Sequence, residues 1–147
     1  MITLRAITED NFDAVVRMKR PDAEGFVASN SYSLAQCWLY RSDGDVFPCA
    51  IYADETPVGF LLLEEEDPAA RKLWLWRIMF PEEHTGKGYG TAAVAELIRL
   101  ARESGKYNHL CLDCHPDNHR ARHVYEKLGF RPTGAVNHGS EEMELAL

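Results

Sequence analysis

A chain of 147 residues with 46% hydrophobic and 27% charged content carries enough apolar material for one self-sufficient core, so disulfide or metal staples are not required. A net charge of −7 argues against a general nucleic-acid binder, whose phosphate contacts demand clustered Lys and Arg, and suits a small cationic partner. No apolar run is long enough to span a membrane, and the opening MITLRAITEDNF lacks the basic and apolar regions of a signal peptide, so the expected address is cytoplasmic.

In chain order, Ile2 to Ala6 reads as a strand. Phe12, Val15, Val16 and Lys19 then recur at helical spacing behind Thr8, a cap residue. A second, shorter helix is expected over Leu34 to Tyr40. Val46 to Tyr52 and Val58 to Leu63 form two strands joined by the turn ADETP. Lys72 to Phe80 (KLWLWRIMF) is rich in aromatic and branched residues and closed by Pro81, the signature of a buried strand. Val94, Leu97, Ile98 and Ala101 give a helix over 88–104 that stops at Gly105. A strand at His109 to Cys114, a helix from His119 to Leu128 ended by Gly129, and strands at Arg131 to Val136 and Glu142 to Leu147 complete the order β-α-α-β-β-β-α-β-α-β-β. This pattern predicts an α/β (α+β) fold, a mixed, largely antiparallel sheet flanked by helices, in one domain over 1–147.

Between the strand at 72–80 and the following helix lies GKGYGT, Gly86 to Thr91. First-turn N–H groups there lack intrahelical acceptors, the helix dipole favours an anion by about 0.3–1 kcal/mol, and glycine lets the backbone come close. Taken alone, the run fits a phosphate cradle or a tight strand-to-helix turn with a solvated Lys87. No Walker A sequence is present, and a dinucleotide fingerprint needs a third glycine where Thr91 stands. Cys111, Cys114 and His115 spell CLDCH, the spacing of c-type haem attachment and of half a zinc site. Neither Cys37 nor Cys49 offers a second ligand pair, and a strand points positions 111 and 114 to opposite faces; buried thiols are the expectation, with no metal.

Further on, Ala121, Val124, Tyr125 and Leu128 make one helical stripe that turns the Tyr125 phenol inward, a position that core packing alone would also explain. The strand, the GKGYG loop with its helix, the next strand and N…VYEKLGF from Asn118 to Phe130 together resemble the GNAT superfamily of acetyl-CoA-dependent N-acetyltransferases. The resemblance covers the whole chain and is strongest from Trp74 to Phe130. It implies that acetyl-CoA lies against the strand at 72–80 and that its pantetheine pairs with the backbone of Ile78, Met79 and Phe80. It implies, too, that Gly86, Lys87, Gly88, Tyr89, Gly90 and Thr91 hold the pyrophosphate. Asn118 is implied to contact the pantetheine arm, and Tyr125 to protonate the departing thiolate.

The chain leaves the family pattern at two places. The Gln or Arg that usually precedes the first glycine is Thr85. Trp76, four residues before Phe80, stands where some polyamine-acetylating members carry a carboxylate. An alkylammonium of pKa near 10.4 is neutral only about one part in 10³ at pH 7, so a proton acceptor is needed; Glu82, Glu83 and His84, acting through water, are the candidates, beside capture of neutral amine from solution. The stretch GFVASNSYSLAQ at Gly25 to Gln36, WLWR and the GSEEMEL tail are similar to bacterial spermine/spermidine (diamine) acetyltransferases. That finer resemblance implies a polyamine acceptor, for which the chemistry of aromatic rings and carboxylates makes Tyr32, Trp76 and Glu82 the expected substrate contacts. Trp74 and Trp76 alternate onto one strand face, where aromatic rings attract a cation by ~0.5–2 kcal/mol each, and Asp22, Glu24 and Glu83 would add negative charge. Core packing is the competing role for both tryptophans. The alternatives are another amine (an aminoglycoside, amino acid or protein) and a non-catalytic acyl-CoA sensor. A homodimer is implied by family analogy alone, and neither nucleic acid nor membrane is an expected partner.

Overall fold

The computed structural model describes residues 1–21 and 28–147; Asp22, Glu24 and the first part of GFVASNSYSLAQ lie outside the described residues. Its elements follow the predicted order: β1 (Ile2–Ala6), α1 (Glu9–Arg17), α2 (Asn30–Leu39), β2 (Val46–Ala53), β3 (Thr56–Glu64), β4 (Lys72–Met79), α3 (Tyr89–Ser104), β5 (His109–Cys114), α4 (His119–Leu128), β6 (Arg131–Asn137) and β7 (Ser140–Ala146). Two short 3₁₀ turns, Pro68–Ala70 and Glu82–His84, are additions, too brief to leave a periodic signal. The seven strands form one sheet in the order β1-β2-β3-β4-β5-β7-β6, antiparallel throughout except between β4 and β5.

The first two helices show where apolar periodicity misleads. Phe12, placed on the apolar stripe of α1, is 47% exposed, whereas polar Asn11 is buried because its amide donates to the Ala6 carbonyl at 3.0 Å and its oxygen accepts the Thr8 N–H at 2.8 Å. The second helix begins at Asn30, not Leu34. Ser29 caps it by accepting the Tyr32 N–H, and its inward positions are Asn30, which donates to the Val15 carbonyl at 2.9 Å, and Ser33, whose hydroxyl donates to the Ser29 carbonyl. Hydrogen-bonded polar groups can occupy a buried face at little net cost, although the Asn30 Oδ1 is buried without a partner, and such residues erase the hydrophobic pattern that would announce the face.

Apolar layers cover both faces of the sheet. On one face Leu61, Leu63, Leu73, Leu75, Leu110 and Leu112 pack beneath α3, which contributes Val94, Leu97 and Ile98, and beneath Tyr125 of α4. On the other, Ala50, Phe60, Leu62 and Met79 meet Val15 and Met18. A β-bulge in β4 changes which residues belong to which layer. Register passes from Leu62↔Arg77 to Leu63↔Leu75, so Trp76 has no residue opposite it. Leu73 and Leu75 precede the bulge on the α3 face, Ile78 and Phe80 take over that face beyond it, and Trp76 packs toward α2. Two consecutive residues, Trp76 and Arg77, therefore serve the α2 side.

Candidate active site

Strand β4 runs on to Met79 and β5 to Cys114, yet their parallel ladder stops at Leu75↔Leu112. Past that point β5 stays with β7, through Cys114↔Glu141, while β4 stays with β3, through Phe60↔Met79. The two strands diverge, and a cleft of about 870 Å³ opens where the backbone of 76–79 has no strand partner on its β5 side. Gly59 fixes the inner end of this wall. A Cβ there would lie 2.6 Å from the Phe80 ring and 2.9 Å from the Met79 carbonyl oxygen, so only glycine lets Phe80 fold over β3.

Above the split, Gly86 (φ +74°) and Gly88 (φ +79°) bend the chain into α3, with Gly88 as its N-cap. Nothing lies within 4 Å of the Cβ position at either glycine, so the left-handed turn, and no packed neighbour, is what selects glycine there. The N–H groups of Tyr89, Gly90 and Thr91 open the helix and border the cleft. His84 also borders it. Its ring centroid is 6.2 Å from that of Tyr89, and its Nδ1 is buried without a hydrogen-bond partner.

Helix α4 forms the facing wall. Asn118 caps it, the side-chain oxygen accepting the Ala121 N–H at 3.3 Å, so the residue has a structural duty and its amide NH₂ is left over. Tyr125 is 8% exposed, packs edge-on against Phe130 at 5.8 Å, and lines the cleft; no described residue hydrogen-bonds its hydroxyl. Burial, assisted by Cys114, raises its pKa well above the ordinary phenol value, so the group holds its proton. Cys111 and Cys114 are buried, free thiols; burial pushes Cys111 up to about 12 and raises Cys114 also. Among the described residues, no group of His, Cys, Asp and Glu is arranged to hold a metal.

One cleft thus gathers Ile78, Met79, Phe80, Gly86, Gly88, Tyr89, Gly90, Thr91, Asn118, Tyr125 and Trp76. Three expected contacts fall outside its lining: Lys87 is exposed at the loop tip, Glu82 is exposed on the 3₁₀ turn, and Tyr32 is 57% exposed on α2. The aromatic faces expected to hold a substrate cation have an internal occupant. The Arg77 guanidinium sits 4.5 Å from the Trp76 ring centroid and 5.4 Å from that of Tyr32. Arg77 borders the cleft and was missed in the sequence, because inside WLWRIMF it reads as a lone charge on a buried strand; a bulge cannot be seen from one sequence.

The acetyltransferase (GNAT) family model matches residues 12–130, the span that holds the bulged strand, the glycine turn and Tyr125. The chain belongs to this family. Acetyl-CoA is the cofactor of its members. Over 97% of the chain and 95% of the relative, the sequence is 24% identical to a probable spermine N(1)-acetyltransferase of Bacillus subtilis subsp. natto. Among the solved structures that share this fold are two bound to coenzyme A. One is the PaiA N-acetyltransferase of Thermoplasma acidophilum in complex with coenzyme A (TM-score 0.73, 20% identity, 100% and 99% of the two chains). The other is the spermidine N-acetyltransferase of Vibrio cholerae in complex with CoA and spermine (TM-score 0.76, 18% identity, 99% and 95%). No described helix is long and apolar enough to cross a membrane.

Proposed function

We propose that this GNAT chain transfers acetyl from acetyl-CoA to a primary amine by direct attack, within the cleft between β4 and β5. The observation that carries the reading is the convergence of three features on one cleft: an unpaired strand edge at 76–79, a glycine turn at a helix N-terminus, and an unpartnered buried phenol. Each suits a part of the cofactor. The strand edge can bond an extended amide chain, the N–H groups of Gly86 to Thr91 suit a pyrophosphate, and the Asn118 NH₂ can reach the pantetheine arm. The continuous sheet from β1 to β6 supports treating 1–147 as one domain.

Acetyl-CoA supplies the activated thioester and the thiolate leaving group. Tyr125 donates the proton that the sulfur takes up, and the burial that raises its pKa ensures that the proton is present at neutral pH. Of the three candidate proton acceptors only His84 borders the cleft, so we assign the amine proton to it, through water. The test is thiol release from acetyl-CoA with a panel of amines. Tyr125→Phe is expected to lower kcat about 10²-fold or more, and the wild-type profile is expected to show no ionisation limb from Tyr125 between pH 6 and 9. Equal turnover of the variant across that range would remove Tyr125 from the mechanism.

Two acceptor classes draw support from different sources. A polyamine such as spermidine or spermine is supported by the relative matched over nearly the full chain and by the net charge of −7. An amine bearing a carboxylate is favoured by Arg77.

A further inference from the structure

Two half-buried arginines line the cleft, Arg20, which donates to the Phe80 carbonyl, and Arg77. Nη1 of Arg77 donates to Ser33 Oγ at 3.1 Å and to Gln36 Oε1, both on α2, and the guanidinium plane is bracketed by Trp76 and Tyr32. A guanidinium has five N–H donors in a planar fork. Those on Nε and Nη2 meet no acceptor among the described residues, and no described carboxylate lies within ion-pair distance of the group.

Among the described residues Glu64 acts on this guanidinium only from beyond ion-pair distance, an unusual arrangement in a chain with 23 acidic residues. Arg5, Arg99 and Arg122 each hold one or two carboxylates at the surface, which raises their pKa values; at Arg77 desolvation is the largest influence and lowers it, against smaller opposing effects of Tyr32, Cys37 and Glu64. Buried charges are ordinarily paired, and the planar fork matches a carboxylate in two parallel bonds. The head group is also preorganised: the bulge aims it toward α2, buried Ser33 and Gln36 hold one nitrogen, and two rings confine its plane.

We infer that Arg77 anchors an anionic group of the acceptor, so that the amine acetylated belongs to a carboxylate-bearing molecule of the amino-acid or peptide type. This rests on the acetyltransferase reading of the cleft and narrows it. The same fixed charge repels the second ammonium of a polyamine and occupies the rings that would otherwise receive it.

The experiment compares matched acceptors, glycine against glycinamide, a free dipeptide against its amide, and spermidine, by thiol release and by calorimetric binding to the CoA-loaded protein. The expected wild-type result is a preference of about 10–100-fold in kcat/KM for the carboxylate member of a pair, the size of a hydrogen-bonded charge contact. The two pairs separate a free amino acid from a peptide end. Arg77→Gln is expected to bring that ratio to about 1 chiefly through KM, and Arg77→Lys to restore part of it. Near-ultraviolet circular dichroism verifies that each variant is folded. A wild-type preference for spermidine, or an Arg77→Gln effect equal on both members of a pair, would overturn the inference. If no amine releases thiol but glycine still binds in an Arg77-dependent way, the anchor stands and the catalytic reading fails; if neither is seen, both fall.

Discussion

The cleft and the flank of β4 that faces α2 are built by different means. The cleft, between β4, the glycine turn and α4, is made largely of backbone: an unpaired strand edge, opening N–H groups of α3, and a capped helix that presents Tyr125. The flank toward α2 is made of side chains from distant parts of the chain: Arg77 and Trp76 from the bulge, which border the cleft, and behind Arg77 the residues Ser33 and Gln36 from a helix separated from β4 by two strands. A backbone wall tolerates many side chains provided its glycines are kept. A side-chain wall changes its preference with one substitution.

The largest expected effect comes from attacking the backbone wall at its narrowest point. Gly59→Ala places a methyl against the Phe80 ring and the Met79 carbonyl; the carbonyl cannot yield as a flexible side chain would. A loss of about 1–3 kcal/mol, roughly 3–10 °C in Tm, is expected with a fall in CoA affinity. Calorimetry and a melting curve check both, and an unchanged melting curve would show that this wall yields more readily than described. Asn118 sharpens the comparison, because it has both a capping oxygen and a spare NH₂. Asn118→Ala should cost about 1 kcal/mol in stability, whereas Asn118→Asp keeps the cap and should lose only CoA affinity, about 10-fold at most. If both variants lose stability equally, the NH₂ has no separate duty. The smallest effect belongs to Lys87→Ala. An exposed lysine outside the cleft lining should alter the CoA Kd by less than about 3-fold, and that difference should shrink in added salt.

The same division explains what was legible in the sequence. Order and type of the elements, the glycine turn and the inward Tyr125 could be read because each is encoded locally, by period, by glycine spacing or by a helical stripe. The exposure of Lys87 and Glu82 was illegible for a related reason: a charge next to a motif is conspicuous in sequence, but exposure is decided by the direction in which the turn points. Arg77 was illegible because its surroundings depend on the register shift between Leu62 and Leu63 and on a helix whose buried face is polar. Asn30 and Ser33 hid the start of α2 by the same rule.

The short ladder between β4 and β5 has a mechanical consequence. Among the described residues, four pairs, Lys72↔His109 to Leu75↔Leu112, make the strand-to-strand connection between β1–β4 and the β5–β7–β6 part of the sheet. Beyond that short ladder the two parts are held together by α3 and by the apolar layer they share beneath it. An extended chain lying along β4 from Trp76 to Met79 would lengthen that ladder as an extra strand does. Amide exchange at 76–79 should therefore slow when the cleft is filled, and so report its occupancy directly.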